Sequence, residues 1–407
     1  MQNSKNKKLV FQYNVDLLKK IIVVLKTYNY KKIQFIPLEQ SFLAIVKEHE
    51  NFLNLFFQKK HLLYYYSLFP ALYKLWLSKK LCLCLDVCFL NKKATKKEFL
   101  KIFSEELINE AIANNIIIER DSLYQFSLSF LPYDDYIILR EVNSDYDLFH
   151  SDPEKIGHPE FDNSVWVGAD SIMYTRHLKK LLNKKTFNRG IEIGSGTGIL
   201  SIAGSNFTKE FHAIDYNERA VAYTKLNIDI NNNLNIKSYF SDMFKNVSGK
   251  FDLILAAPWF VDLEKSGLEE VPFILDNLDK YLDDEGVCLM TLNSYVKNGV
   301  DENIEFIKAF IKKNNYSFEL HRMGYQIERE RFKDWKKHNI DYVASFFAVI
   351  KKNKNILKIH DVSIFRKIRD FTFIFLYKIT LDKLQNAAIH HVVHFSNGRG
   401  VTFQNNE

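Results

Sequence analysis

Residues 190–204 read GIEIGSGTGILSIAG. An isoleucine-rich run meets three glycines at alternate positions, Gly194, Gly196 and Gly198, and a second apolar run follows. The chain of 407 residues holds only 14 glycines, so three within five positions is a local concentration. Glycine enters left-handed backbone without strain and leaves empty the space a side chain would fill. A strand that ends in such a bend and feeds a helix presents backbone N–H groups to a ligand at the carboxyl edge of a parallel sheet.

The surrounding pattern supplies that sheet. From residue 189, GIEIG, EFHAID, IKSYFSD, FDLILAA and GVCLMTLNSY read as strands. Helical stretches of 10–16 residues separate most of them, among them ERAVAYTKLNIDINNN and VPFILDNLDKYL. Strands joined by helices imply βαβ units and a parallel sheet. After the helix VDENIEFIKAFIKKNN, the strands YSFELHRMGY and DYVASFFAVIKK are separated only by a charged linker. They suit an antiparallel hairpin at one side of the sheet.

The glycine spacing is GxGxG, which differs from the GxGxxG of dinucleotide sites by one residue. Two downstream acids extend the site. Asp215 lies 21 residues after Gly194, at the end of the next strand, where a carboxylate accepts from both hydroxyls of a ribose. Asp242 ends the third strand and is placed to accept from the exocyclic amine of adenine. Glu192 precedes the loop within its strand. A glycine loop and two acceptors describe an adenosine site. No phosphate-binding Lys or Ser/Thr follows the loop, which argues against a triphosphate.

The pieces EIGSGTG, AIDYNERAVAYTKLNIDINNN, FSDMF and FDLILAAPWF resemble, in this order, the class I S-adenosylmethionine-dependent methyltransferases. The resemblance covers residues of about 165–350 and is nearest to the small-domain type. It implies an α/β, Rossmann-like, seven-stranded methyltransferase sheet with a reversed final β-hairpin. It further implies S-adenosyl-L-methionine as cofactor. Glu192 and the loop Gly194, Gly196 and Gly198 would surround its methionine part, Asp215 its ribose and Asp242 its adenine.

Members that methylate amines or amides carry Asn-Pro-Pro-aromatic after the fourth strand. Here the tetrapeptide is Ala256-Ala257-Pro258-Trp259. The proline and the aromatic remain, and the amide that would hold a planar amino group is absent. Ala256, Pro258 and Trp259 are therefore the substrate-positioning candidates for an acceptor that the sequence leaves open: small molecule, protein or RNA. Two alternatives stand beside it. One is an RNA or protein-glutamine N-methyltransferase with a drifted motif. The other is an inactive nucleic-acid-binding module on the same fold. The segment VWVGADSIMYTRHLKK resembles the family's lead-in, with Asp170, Ser171 and Tyr174 as pocket candidates. No general base is evident; Asp262, His321 and Tyr325 are the candidates expected near the carboxyl edge.

Outside this core the chain divides by composition. Residues 1–90 read as a helical region and residues 91–142 as a winged-helix-like unit. In the latter, Thr95 and Ser104 are placed to cap two helices. Residues 143–165 form a polar linker or lid, the methyltransferase domain spans 166–352, and 353–407 is an extension. In that extension LDKLQNAAIHHVVHF, with His390, His391 and His394, reads as a helix. The net charge of +7 is concentrated at the two ends, and the middle is mildly acidic. Basic flanks attract nucleic acid through its phosphates. Of the four cysteines, Cys82, Cys84 and Cys88 lie in an apolar run without a neighbouring histidine and read as core. No metal set is expected. The amino terminus lacks the apolar centre of a signal peptide, and no apolar run is long enough to span a bilayer, so a cytoplasmic protein without membrane contact is expected.

Overall fold

The computed structural model describes residues 13–31, 77–89, 91–141, 165, 167, 169–183, 185–233, 235–258, 270–326, 339–352, 355–361, 389–393 and 401–405. Near the amino end, the Asn14 side chain caps α1 (Val15–Thr27) by accepting from the Leu17 N–H. Ser78 likewise caps α2 (Lys79–Cys84), which continues into a π-helical turn over Leu85–Phe89. Cys84 and Cys88 are buried there, and burial pushes both thiols up. They act as small core hydrophobes.

β1 (Ala94–Thr95) leads into α3 (Lys96–Phe99), whose capping box joins Thr95 and Glu98 reciprocally. Ser104 caps α4 (Glu105–Ala113). β2 (Ile117–Arg120) and β3 (Leu123–Phe126) form a hairpin, and β1 completes a three-stranded sheet in the order β1-β3-β2. Asp121 and Ser122, the two linking residues, have φ of 53° and 61°, as a two-residue primed turn requires. A second hairpin follows, β4 (Leu128–Tyr133) with β5 (Tyr136–Glu141).

After α5 (Ala169–Leu182) the alternating segment begins. Its elements are β6 (Phe187–Ile193), α6 (Ile199–Ser205), β7 (Thr208–Asp215), α7 (Glu218–Asn231), β8 (Ile236–Phe240) and β9 (Phe251–Ala256). They continue with α8 (Glu270–Tyr281), β10 (Leu282–Lys297), the short β11 (Val300–Asp301) and α9 (Glu302–Lys313). β12 (Tyr316–Gln326), β13 (Ile340–Lys352) and β14 (Ile356–His360) close the sheet. The strand order is β14-β12-β13-β10-β9-β6-β7-β8. The five strands β6 to β10 are parallel, and β13 runs antiparallel between β10 and β12.

That is the expected seven-stranded Rossmann-like sheet with its reversed final hairpin, extended by β14 at the edge. Two buried clusters hold it, one on each face: Leu253, Leu255 and Leu289 belong to one and Ile191, Ile254 and Met290 to the other. This is the alternation of a strand between two helical layers. The order reverses between β6 and β9, so a crevice opens there at the carboxyl edge.

The extension differs from its sequence reading. Residues 389–393, expected as part of a helix, form β15 (Ile389–Val393), which pairs antiparallel with β16 (Val401–Asn405). Ile389, Val392 and Val393 are β-branched and favour strand backbone once a partner strand is present. His394 lies outside the described residues, as does nearly all of the expected linker 143–165. Among the described residues, no helix is long and apolar enough to cross a membrane.

Candidate functional site

The site is built where β6 stops. Gly194, Gly196 and Gly198 have φ of 74°, 54° and 79°, so the bend is left-handed at each of them. The three glycines do different work. A Cβ at Gly194 or Gly196 would meet nothing within 4 Å, whereas one at Gly198 would lie 2.9 Å from the Thr224 methyl group. The first two leave open space above the loop; the third lets α7 pack close beneath it.

Hydrogen bonds fix the bend from three sides. The N–H groups of Gly194 and Ser195 both donate to the Ile214 carbonyl at 2.9 Å. Thr224 donates to the Gly196 carbonyl at 3.0 Å, and Asn227 to the Thr197 carbonyl at 2.8 Å. Asp215 accepts from the Gly196 N–H and the Asn217 N–H, each at 2.9 Å. Burial pushes the Asp215 carboxyl up, and these backbone donors oppose that shift. The Tyr216 N–H also donates to it, so of about four acceptor sites the carboxylate keeps about one for a further donor.

A cavity of about 230 Å³ opens above the loop. Gly194, Gly196, Asp215, Tyr216 and Asn217 line one side, Ser241 and Met243 a second, and Ala256, Ala257 and Pro258 a third. Val165, Glu270 and Ile274 also line it, with Ile193, Ile214 and Ala220. The ends of four strands thus converge on one crevice.

The methyltransferase small-domain family model matches residues 169–318. A Methanocaldococcus jannaschii protein named as a protein N5-glutamine methyltransferase is 34% identical over 169 residues, 37% of this chain and 80% of that one. The chain belongs to the class I S-adenosylmethionine-dependent methyltransferases. A ribosomal protein L11 methyltransferase of Thermoanaerobacter pseudethanolicus is 32% identical over 38% of this chain and 47% of its own length. The ribosomal RNA small subunit methyltransferase C of Buchnera aphidicola subsp. Cinara cedri is 26% identical over 60% of this chain and 68% of its own. The chain spans about half the length of the L11 relative it matches.

The methyltransferase family implies S-adenosylmethionine as methyl donor, and the cradle suits it: two side-chain-free positions face a cavity that Asp215 shares. The remaining residues singled out in the sequence lie as follows. Glu192 is buried beneath the loop and outside the cavity lining; it accepts from the Ser201 hydroxyl on α6, and burial pushes its carboxyl well up. Its observed contact joins strand to helix. The Asp242 carboxylate is half exposed and paired with Lys245, while its neighbours Ser241 and Met243 line the wall. Ala256 and Pro258 line the cavity; Trp259 and Asp262 lie outside the described residues. His321 sits on β12, away from the lining, and Tyr325 belongs to the same strand.

Tyr174 is fully buried and does not line the cavity. Its hydroxyl donates to the Leu289 carbonyl and accepts from the Ala256 N–H at 3.3 Å. With Ala256 opposite Met290 in the parallel register, those are the groups of the next rung between β9 and β10. The hydroxyl lies against that rung, immediately before Ala257 and Pro258.

Sequence reading missed Tyr216, Ser241, Met243, Glu270 and Ile274. Tyr216 had a signal in the sequence, since it follows Asp215 directly; in the structure its ring is 62% exposed beside the buried acid. The others reach the cavity by folding alone.

Proposed function

We propose that this chain transfers the methyl group of S-adenosylmethionine to a nucleophile presented at Ala256–Pro258. The observation that carries the reading is the open space over Gly194 and Gly196, facing the same cavity as Asp215. The loop would seat the methionine part, Asp215 would accept from the ribose hydroxyls, and Tyr216 would lie against the nucleoside. Asp242 would accept from the adenine amine after releasing Lys245, an exposed pair of the kind that contributes little. When bound, the cofactor supplies a methyl group on a positively charged sulfur, with a neutral sulfide as leaving group. The protein's task is alignment, which by itself contributes about 7–11 kcal/mol in favourable cases.

The lining supports an acceptor unlike that of Asn-Pro-Pro relatives. Ala256 and Ala257 offer no side-chain acceptor for an amine. Backbone carbonyls and Glu270 are the remaining groups on that wall. A second reading, an RNA or protein-glutamine N-methyltransferase with a drifted motif, rests on the names of the relatives and on the match of 251 residues to the ribosomal RNA enzyme. The N-terminal hairpin β4/β5 is bound into α7, which favours a packing role over nucleic-acid reading. A cytoplasmic location fits this assignment.

Calorimetry with S-adenosylmethionine tests the cofactor, and transfer of labelled methyl to fractionated small molecules, protein and RNA tests the acceptor. Micromolar binding with label in one fraction supports the proposal. Absence of binding refutes it, and binding without transfer to any fraction leaves the inactive module as the better account.

A further inference from the structure

The edge strand β14 brings a second cluster together, on the far side of the sheet order from β8. Glu319 and His321 alternate on one face of β12, and His360 is the register partner of His321 on β14. One ligand atom from each of the three lies within 4.8 Å of the others. Glu319 Oε1 is 3.2 Å from His321 Nε2 and 2.9 Å from His360 Nε2. The two imidazoles stack with centroids 4.6 Å apart and planes 7° from parallel.

Two features ask for a cation. His321 Nε2 is buried from water, and its 3.2 Å contact with Glu319 lacks hydrogen-bond geometry. Two imidazole nitrogens and one carboxylate oxygen converge, and that donor set suits a first-row divalent ion such as zinc. We propose that Glu319, His321 and His360 form a divalent-metal site that clamps β14 onto β12.

The ion would replace the shared carboxylate contact with three coordinate bonds and leave room for water as a further ligand. It would tie residues 356–360, which are mostly exposed, to the buried sheet. The groups around the cluster oppose it in part. Burial lowers the basicity of His321, with smaller contributions from His360 and from His177 and Lys180 on α5, and Lys358 is the register partner of Glu319. His177 stacks on Phe347, the β13 partner of His321, so α5 covers this face. None of the three ligands lines the cofactor cavity, and the proposal is independent of the acceptor.

The test is a Co²⁺ titration of the full chain after chelator treatment, read by visible absorption, with Zn²⁺ competition by calorimetry. We expect one ion per chain, displaced by Zn²⁺. His360→Ala and Glu319→Gln should each weaken uptake by about 100-fold or more, since even outer partners of metal ligands cost 10–100-fold. His360 is half exposed, so its variant should keep the metal-free urea midpoint of the parent. The combined His390→Ala, His391→Ala and His394→Ala variant should bind as the parent does. No ion on the parent, undiminished uptake by His360→Ala and Glu319→Gln, or loss of uptake in the C-terminal triple variant would each overturn the site.

Discussion

Asn227 exchanges two hydrogen bonds with the backbone of Leu139, accepting from its N–H at 2.7 Å and donating to its carbonyl at 2.9 Å. One turn later Asn231 does the same with Ile137, at 3.0 and 2.8 Å. Residues four apart on a helix rise about 6 Å and residues two apart on a strand about 6.8 Å, so two asparagines of α7 match the free edge of β5. The same Asn227 amide also holds the Thr197 carbonyl of the glycine loop. One side chain therefore links the N-terminal hairpin to the cofactor cradle.

Asn227→Ala should be costly. It strands the Leu139 N–H and carbonyl and the Thr197 carbonyl in a buried place. At about 1–3 kcal/mol for a buried group left unpaired, a loss of about 3 kcal/mol is expected in urea unfolding. Asn231→Ala, nearer the surface, should lose less. Equal and small losses for both would show that the asparagines do not serve as the edge partner.

Asp215→Ala should fold and bind S-adenosylmethionine at least about tenfold more weakly, since hydrogen bonds to a charged acceptor contribute about 1.5–3 kcal/mol. Calorimetry reads this directly. Unchanged affinity would remove the ribose assignment. Asp242→Asn, at a half-exposed carboxylate, tests the adenine assignment in the same experiment.

Gly196→Val should abolish cofactor binding more completely than it destabilises the fold. Its side chain would enter open space, so no clash arises, but the left-handed backbone is strained by about 1–2 kcal/mol for a residue with a Cβ. The new methyl groups would occupy the cradle. Gly198→Val has the opposite balance: it drives into Thr224 and should unfold the chain first. Thermal melts with and without cofactor distinguish the two.

Glu192 predicts the slope of stability against pH. Its folded carboxyl titrates well above the ordinary range because burial disfavours the charge. Above the unfolded value the folded state then holds a proton that the unfolded state has lost, so stability falls as pH rises through that window. Glu192→Gln removes the titration. Its melting temperature should exceed the parent's at alkaline pH and converge on it below the ordinary glutamate range. Parallel curves across that range would mean Glu192 does not titrate as described.

Tyr174→Phe removes only an oxygen. It removes the hydroxyl's contacts with the Ala256 N–H and the Leu289 carbonyl, which still pair across the sheet, at a cost of about 0.5–1.5 kcal/mol. Because the rung lies beside Ala257 and Pro258, transfer rate should fall more than cofactor affinity. A rate equal to the parent's would separate this hydroxyl from the acceptor wall.

The sequence by itself determined the sheet and the bend. Strand and helix periods differ, so GIEIG, EFHAID and FDLILAA were legible as strands, and three glycines in five positions announced a left-handed turn. Asp215 was legible because the end of the second strand necessarily lies beside the end of the first. The tertiary structure alone decided what those residues face. Glu192 and Asp215 are both acids near one loop, yet one carboxylate turns to Ser201 beneath it and the other to the cavity. The helix expected at residues 389–393 became a strand, since β-branched residues follow whichever partner the chain supplies. The Glu319–His321–His360 cluster was invisible for the same reason. His360 lies far along the chain from His321, and only the pairing of β14 with β12 makes them neighbours. Local periodicity is written residue by residue, whereas the direction of a polar side chain depends on every element packed around it.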